Sequence, residues 1–155
     1  MPTSLRDEIK QTRPFASLEQ EALLSIERTA AVLGHAMAEA FKPYGITPTQ
    51  YNVLRILRGA GPAGLCRNEV RERLVALVPD VTRLLDRLEE MELIARERGS
   101  ADRRYVTTRI TSAGLRLLEQ LDAPTKELHR QQLGHLGKER LRTLIDLLTA
   151  ARARG

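Results

Sequence analysis

Tryptophan is absent from this 155-residue chain, and its aromatic residues amount to three tyrosines and two phenylalanines. A core without large rings must be filled by Leu, Ile, Val and Ala, which points to packed helices rather than an aromatic-rich sheet. Cysteine is nearly missing too. Cys66 stands alone, so no intramolecular disulfide can form, which argues against a stapled secreted domain. No apolar run approaches the roughly 18 residues that a membrane helix needs. The polar, charged stretch Met1 to Arg13 lacks the apolar segment of a signal peptide. A cytoplasmic chain with no membrane partner is the expectation. The sequence also offers no nucleophile–base pair, no glycine-rich phosphate loop and no pair of catalytic carboxylates. His129 and His135 lie six apart beside a single cysteine, which is a poor metal set. Neither enzyme activity, nor a cofactor, nor a metal is therefore expected.

What is present is arginine. Only Lys10, Lys42, Lys126 and Lys138 among the 25 basic residues are lysines, and the net charge is +5. The isoelectric point is about 9.9. Arginine offers a planar fork of donors suited to phosphate and to guanine edges. Basic character of this kind is one footprint of nucleic-acid binding, and a GC-rich genome produces it as well.

Along the chain, Met1 to Pro14 carries few apolar side chains and reads as an arm. Ser17 with Gln20 makes a capping box, after which Leu18, Ile26, Ala30, Leu33, Met37 and Phe41 recur at helical spacing up to the stop at Pro43 and Gly45. Thr47-Pro48-Thr49-Gln50 repeats the start signal, and Leu54 and Leu57 mark the core face of a short helix. A third helix is expected from about Arg67 to Leu74, and Ala76-Leu77-Val78 forms an apolar turn. Pro79 is expected to open the next helix as its first residue, with Asp80 near the positive end of the dipole and Val81, Leu84, Leu85 and Leu88 on one apolar stripe. Ile94–Arg98 and Tyr105–Ile110 read as two strands joined by the turn-rich Gly99-Ser100-Ala101-Asp102. Thr111 caps a long helix with Leu115, Leu118 and Leu121 inward and Pro124 as a possible kink. A last helix spans Lys138 to Ala150.

The order of these elements is that of a winged helix-turn-helix: short helices, a tight turn, another helix, then a basic hairpin. The fold class is therefore mainly α with a small β-hairpin. With the apolar stripe inward, Pro79, Arg83, Asp86, Arg87 and Glu90 project outward, with Thr82 at the boundary. Arg83 can form a forked pair of bonds to guanine, and Thr82 can bond a base or a phosphate. The plain alternative is a solvated, salt-bridged helix face. In the hairpin, Arg96, Arg98, Arg103, Arg104 and Arg109 stand against Glu97 and Asp102. A basic loop of this kind can enter a minor groove, with Asp102 bracing an arginine. The plain alternative there is a charged hairpin that resists edge pairing.

Taken together, Val81-Thr82-Arg83-Leu84-Leu85-Asp86-Arg87-Leu88-Glu89, Leu93-Ile94, Asp102-Arg103-Arg104 and Ile110-Thr111-Ser112-Ala113-Gly114 resemble the MarR family of bacterial regulators. The family's pattern reads V-T-R-L-x-D-R-L-E, then D-R-R in the wing, then L-T-x-x-G. Gly45-Ile46-Thr47 with Gln50 and Val53-Leu54 resembles the family's entry into its second helix. The resemblance covers roughly Ser17 to Leu148. It implies a homodimer on a near-palindromic duplex operator, with 1–16 a flexible arm, 17–46 and 112–155 the dimerisation region, and 47–111 the DNA-binding region. It further implies base and phosphate contacts by Thr82 and Arg83, and a wing tip at Arg104 oriented by Asp102. The chain departs from the pattern in two places. Gly99-Ser100 replaces an Asp-Pro pair, and Val78-Pro79-Asp80 replaces a Ser/Lys-rich helix start, where Asp80 would repel a phosphate or accept from a cytosine amino group. The DNA-binding set expected is Pro79, Asp80, Thr82, Arg83, Arg87, Arg96, Arg98, Asp102, Arg103 and Arg104.

Relatives of this kind are often released from DNA by a small aromatic or amphipathic effector. His35, Tyr51 and Arg55 are the polar groups expected at such a site, Arg55 for a carboxylate and His35 or Tyr51 for a phenol. His35 facing solvent and Tyr51 filling core are the plain alternatives. Cys66 beside Arg67 is a redox candidate, since a neighbouring cation favours a thiolate, and a small buried hydrophobe otherwise. A sequence-specific repressor is the expected function. A low-specificity architectural DNA-binding protein and a winged-helix protein-interaction module without DNA binding are the alternatives.

Overall fold

A computed structural model describes residues 1–99, 101, 102 and 104–153. Arg103 and Ser100 thus lie outside the described residues. The chain divides into two compact units, Met1–Ala40 and Phe41–Gly155.

In the first unit the stretch expected to be an arm carries a one-turn helix, α1 (Leu5–Glu8), capped by the Ser4 side chain. Arg6 folds back on the chain that follows, donating to the carbonyls of Gln11 (3.1 Å) and Thr12 (2.6 Å). Polar contacts of this sort leave no hydrophobic periodicity to read. The long helix α2 (Leu18–Phe41) begins where the sequence places it. Ser17 Oγ accepts from the Gln20 amide, but Gln20 Oε1 accepts from Ala16 N, one residue before the expected partner. Leu18, Leu23, Ile26 and Val32 stand exposed on α2.

The second unit opens with a 3-10 turn, Lys42–Tyr44, ended by Gly45 in the left-handed region (φ 69°). Helix α3 (Pro48–Ala60) has the full capping box: Thr47 Oγ1 accepts from Gln50 N (3.1 Å), and Gln50 Oε1 accepts from Thr47 N (3.0 Å). Two short helices follow, α4 (Arg67–Arg73) and α5 (Val81–Glu90). Proline does not open α5. Asp80 is the N-cap, its carboxylate accepting from Arg83 N at 2.9 Å, and Pro79 lies one residue outside. A carboxylate at that position satisfies an otherwise orphaned amide, which a proline at the first helical residue would not.

Strands β1 (Ile94–Arg98) and β2 (Val106–Ile110) pair antiparallel, with Ile94 opposite Ile110 and Arg98 opposite Val106. Leu65 adds a bridge to Thr108, exchanging backbone bonds of 2.9 and 2.7 Å. Gly64 makes this approach possible. Its φ is +67°, and a Cβ there would lie 2.5 Å from the Thr108 carbonyl oxygen. Helix α6 (Ser112–Leu133) is capped by Thr111, runs through Pro124 and leads by a 3-10 turn, Gly134–Leu136, to α7 (Gly137–Arg152).

The core of this unit gathers Phe41, Val53, Leu54 and Leu57 with Val70, Val81, Leu85, Leu88, Ile94, Leu118 and Leu121. Leu115 is not inward as expected but exposed, while Leu84 is half-buried. Arg58 on α3 forms a two-bond pair with Asp122 on α6, at 2.9 and 3.0 Å. Hydrogen bonding to Asp122 raises the guanidinium above its ordinary value, and Arg58 lowers the carboxyl in return. No helix among the described residues is long and apolar enough to cross a membrane.

Candidate nucleic-acid interface

Helix α5 sorts its side chains by the 3.6-residue period. Val81, Leu85 and Leu88 are buried, while Thr82, Arg83, Arg87 and Glu90 are exposed. Its N-terminal end is held by Asp80 and by Arg67, whose Nη1 donates to Thr82 Oγ1 at 3.0 Å. Arg67 opens α4, so the bond ties the two helices at the edge of the exposed face. This contact was not legible in the sequence, because Arg67 and Thr82 are fifteen residues apart and share no periodic pattern.

The Asp80 side chain serves as a cap, so it is committed to the helix. The cap bond uses Oδ1 and stands beside the expectation that the carboxylate meets phosphate or a cytosine amino group. Pro79 is exposed beside it.

The Arg96 guanidinium turns inward to two carboxylates of α5, reaching Asp86 Oδ1 at 2.5 Å and Glu89 Oε1 at 3.0 Å, and its side chain is only 22% exposed. Hydrogen bonding from Arg96 holds the Glu89 carboxyl below the usual range, and Glu89 raises the Arg96 guanidinium. Arg96 therefore fixes the hairpin to α5 through these two carboxylates. On the opposite edge, Arg109 donates to the Pro62 carbonyl (2.7 Å) and to Glu97 (2.8 Å).

The hairpin end leaves Arg98 and Arg104 exposed. Asp102 Oδ1 accepts from the Arg104 backbone N–H at 2.9 Å and lies 3.5 Å from its Nε. The aspartate thus shapes the turn from which Arg104 projects. Arg103, expected beside it, lies outside the described residues. Between α4, α5 and the hairpin runs a groove of about 450 Å³, with Arg67, Thr82, Arg96 and Arg104 among its lining residues. The arrangement offers hydrogen-bond donors along one helix and a cation at a projecting loop, which together suit a polyanion with readable edges.

The comparisons with known proteins agree with this geometry. A MarR-family sequence model matches residues 46–106. The HTH-type transcriptional repressor MdtR of Bacillus subtilis is 31% identical over 124 residues, covering 80% of this chain and 79% of that protein. The crystal structure of a MarR transcription factor from Planctomyces limnophilus is 39% identical, with a TM-score of 0.68, over 88% of this chain and 99% of that one. A variant of MarR from E. coli, complexed with operator DNA, is 25% identical with a TM-score of 0.75, over 96% and 99% of the two chains. The chain belongs to the MarR family.

MarR proteins are transcriptional regulators rather than enzymes, and the winged helix-turn-helix is their fold. Within this MarR chain the remaining expected residues are placed as follows. Tyr51 is buried, its ring 4.7 Å from that of Phe41, and its hydroxyl accepts from Arg55 Nη1 at 3.1 Å. Arg55 and Tyr51 are thus brought together on one face of α3. His35 stands exposed on α2. Cys66 is half-buried just before α4. Arg67 directs its Nη1 to Thr82, and the group bonded at Cys66 is the Glu69 carboxylate, which accepts from Cys66 N at 2.8 Å. That bond lowers the Glu69 carboxyl and caps α4. Among the described residues no three His, Cys, Asp or Glu side chains group as a metal site.

Proposed function

We propose that this chain is a sequence-specific transcriptional repressor that binds a near-palindromic duplex as a homodimer and is released by a small aromatic or amphipathic effector. The observation that carries the reading is the outward set Thr82, Arg83 and Arg87 on a helix capped and braced at both ends, next to the projecting Arg98 and Arg104. In this reading α5 enters a major groove. Arg83 and Arg87 contact guanine edges or phosphates, Thr82 donates to a base or phosphate, and the wing reaches the neighbouring minor groove through Arg104, with Arg103 beside it. Pro79, Asp80, Arg96 and Asp102 support the surface, as apolar rim, cap, brace and turn.

The homodimer is supported by α7, which has no buried residue and exposes Ile145 (60%) and Leu147, with Leu141, Leu144 and Leu148 half-buried beside them. Apolar side chains left open on a terminal helix suit a self-complementary contact. Segments 17–46 and 112–155 form that contact in this reading, and 47–111 binds DNA. The repressor assignment follows the role of the transcriptional repressor MdtR, and the operator follows the E. coli MarR complex with operator DNA. The effector site is supported by the Tyr51–Arg55 pair, whose guanidinium can take a carboxylate.

Selection of bound duplexes from a random pool, then titration of the best one at two salt concentrations, tests the reading. A near-palindromic winner that outcompetes bulk DNA by about 10³-fold or more is expected. Equal binding to every duplex would favour an architectural protein, and no binding at low salt would defeat the reading altogether.

A further inference from the structure

The turn between α4 and α5 carries the most exposed large apolar side chains in the second unit. Val75 is 89% exposed and Leu77 is fully so (101%). This turn is held at both ends. The Val75 amide donates to Asn52 Oδ1 on α3 at 2.9 Å, and Asp80 caps α5. Its apolar side chains are therefore fixed outward, not left out for want of order. Ala76, Leu77, Val78 and Pro79 line a shallow depression of about 440 Å³ with Arg71, whose guanidinium donates to Asn68 Oδ1 at 3.0 Å. Among the described residues nothing covers Leu77. Three residues beyond Pro79, at Thr82, the chain becomes the exposed edge of α5.

The only apolar group on the floor of a major groove is the C5-methyl of a pyrimidine. It sits beside anionic phosphates, so a reader suited to it is an aliphatic side chain flanked by a cation. Leu77 in a depression shared with Arg71, a few residues before Thr82 and Arg83 in the chain, makes that combination, with Val75 exposed in the same turn. We propose that the turn Val75–Pro79 reads a pyrimidine C5-methyl group in the operator, with Leu77 as the contacting residue. The proposal rests on the DNA-binding reading above. Thymine and 5-methylcytosine carry the same methyl at the same place, and the test separates them.

The experiment replaces each thymine of the selected duplex in turn by deoxyuridine, which differs only in that methyl. Parent, Leu77→Ala and Val75→Ala proteins are titrated on each duplex, with thermal melting to verify folding. One or two positions per half-site should lose about four-fold in parent affinity, the worth of one buried methyl. The same replacement should cost Leu77→Ala little. At those positions a 5-methylcytosine pair should bind better than a cytosine pair by a similar factor if the methyl alone is read, and no better if thymine is required as a base. The proposal is overturned if no uracil position weakens the parent, or if the loss persists in full in Leu77→Ala. It is also overturned if Leu77→Ala changes the oligomeric state while methyl dependence stays intact, since the turn is then a protein contact. Absence of any preferred duplex would defeat the DNA-binding reading itself, whereas tight specific binding without methyl dependence would defeat only this inference.

Discussion

Arg67 on α4 and Thr82 on α5 are joined through Nη1 and Oγ1 at 3.0 Å. The bond sets the polarity of the threonine. Thr82 is the second residue of its helix, so the carbonyl four residues earlier, at Val78, lies in the turn and gives no in-helix acceptor. With its oxygen already accepting from a guanidinium, the hydroxyl can offer a proton outward, to a phosphate oxygen or to a purine N7, O6 or thymine O4.

Thr82→Val keeps the shape and removes that donor. Specific affinity should fall about ten-fold, in the range of one good hydrogen bond to a charged or base acceptor. In an Arg67→Met background the same change should cost less, giving a coupling of about 0.5 kcal/mol or more in a double-mutant cycle read by operator titration. Strict additivity of the two changes would show that Arg67 does not act through Thr82.

The Arg96 brace makes stability depend on pH in a definite direction. Glu89 is held below its ordinary carboxyl range by Arg96. A carboxyl lowered in the folded state contributes stability above its unfolded value, about 4.3, and loses it as pH falls through the folded value. Both carboxylates are substantially exposed, so water screens the effect and it should be modest. Urea unfolding between pH 3 and pH 7 should show Glu89→Gln less stable than the parent at neutral pH, with a shallower loss on acidification below about pH 4. Parallel pH profiles would remove Glu89 from the account.

Gly114 marks where the end of the hairpin region meets α6. A Cβ there would stand 2.5 Å from the Leu93 carbonyl oxygen and 2.6 Å from Ile110 Cγ1. The carbonyl is fixed, since it accepts from Thr111 N, while Thr111 Oγ1 donates to the Glu92 carbonyl. Gly114→Ala should therefore destabilise by about 1–3 kcal/mol, the cost of overpacking against a part that cannot yield. Gly34, with nothing within 4 Å of its Cβ position in α2, is the control. Gly34→Ala should be neutral or stabilising by up to about 1 kcal/mol in thermal or urea melts.

Local signals made much of the fold legible. Thr47-Pro48-Thr49-Gln50, Thr111 and the Ile94–Arg98 stretch before a turn-rich segment each specify their element within a few residues, and the structure has all three where the sequence puts them. Asp80 and Pro79 competed for the start of α5, and the side chain able to satisfy an amide won. The outward face of α5 followed from periodicity, as did exposure of Arg83 and Arg87. The bracing bonds of Arg96 were not legible, because charge counting cannot tell a free guanidinium from one that finds Asp86 and Glu89 only after the hairpin folds onto the helix. Arg67 was overlooked for the same reason. The turn around Leu77 could be seen as apolar, but its full exposure belongs to tertiary structure.

Arg104 and Arg96 provide the sharpest contrast between a contact and a brace. Arg104 is 94% exposed on its side chain, and among the described residues its partner is Asp102, 3.5 Å away. Arg104→Ala should leave the urea midpoint within about 0.5 kcal/mol of the parent. If its charge neutralises one phosphate per subunit, the slope of log affinity against log salt should fall by about 0.9 for each contact removed, or about 1.8 for a dimer. Arg96→Met should do the reverse. It leaves Asp86 and Glu89 without their partner, so the protein should unfold at lower urea, while the salt slope of the variant that remains folded stays that of the parent. Titrations of the selected duplex at four or more salt concentrations give the slopes, and melts on the same preparations give the stabilities. An unchanged slope for Arg104→Ala would take the wing off the DNA, and a reduced one for Arg96→Met would return Arg96 to the contact surface.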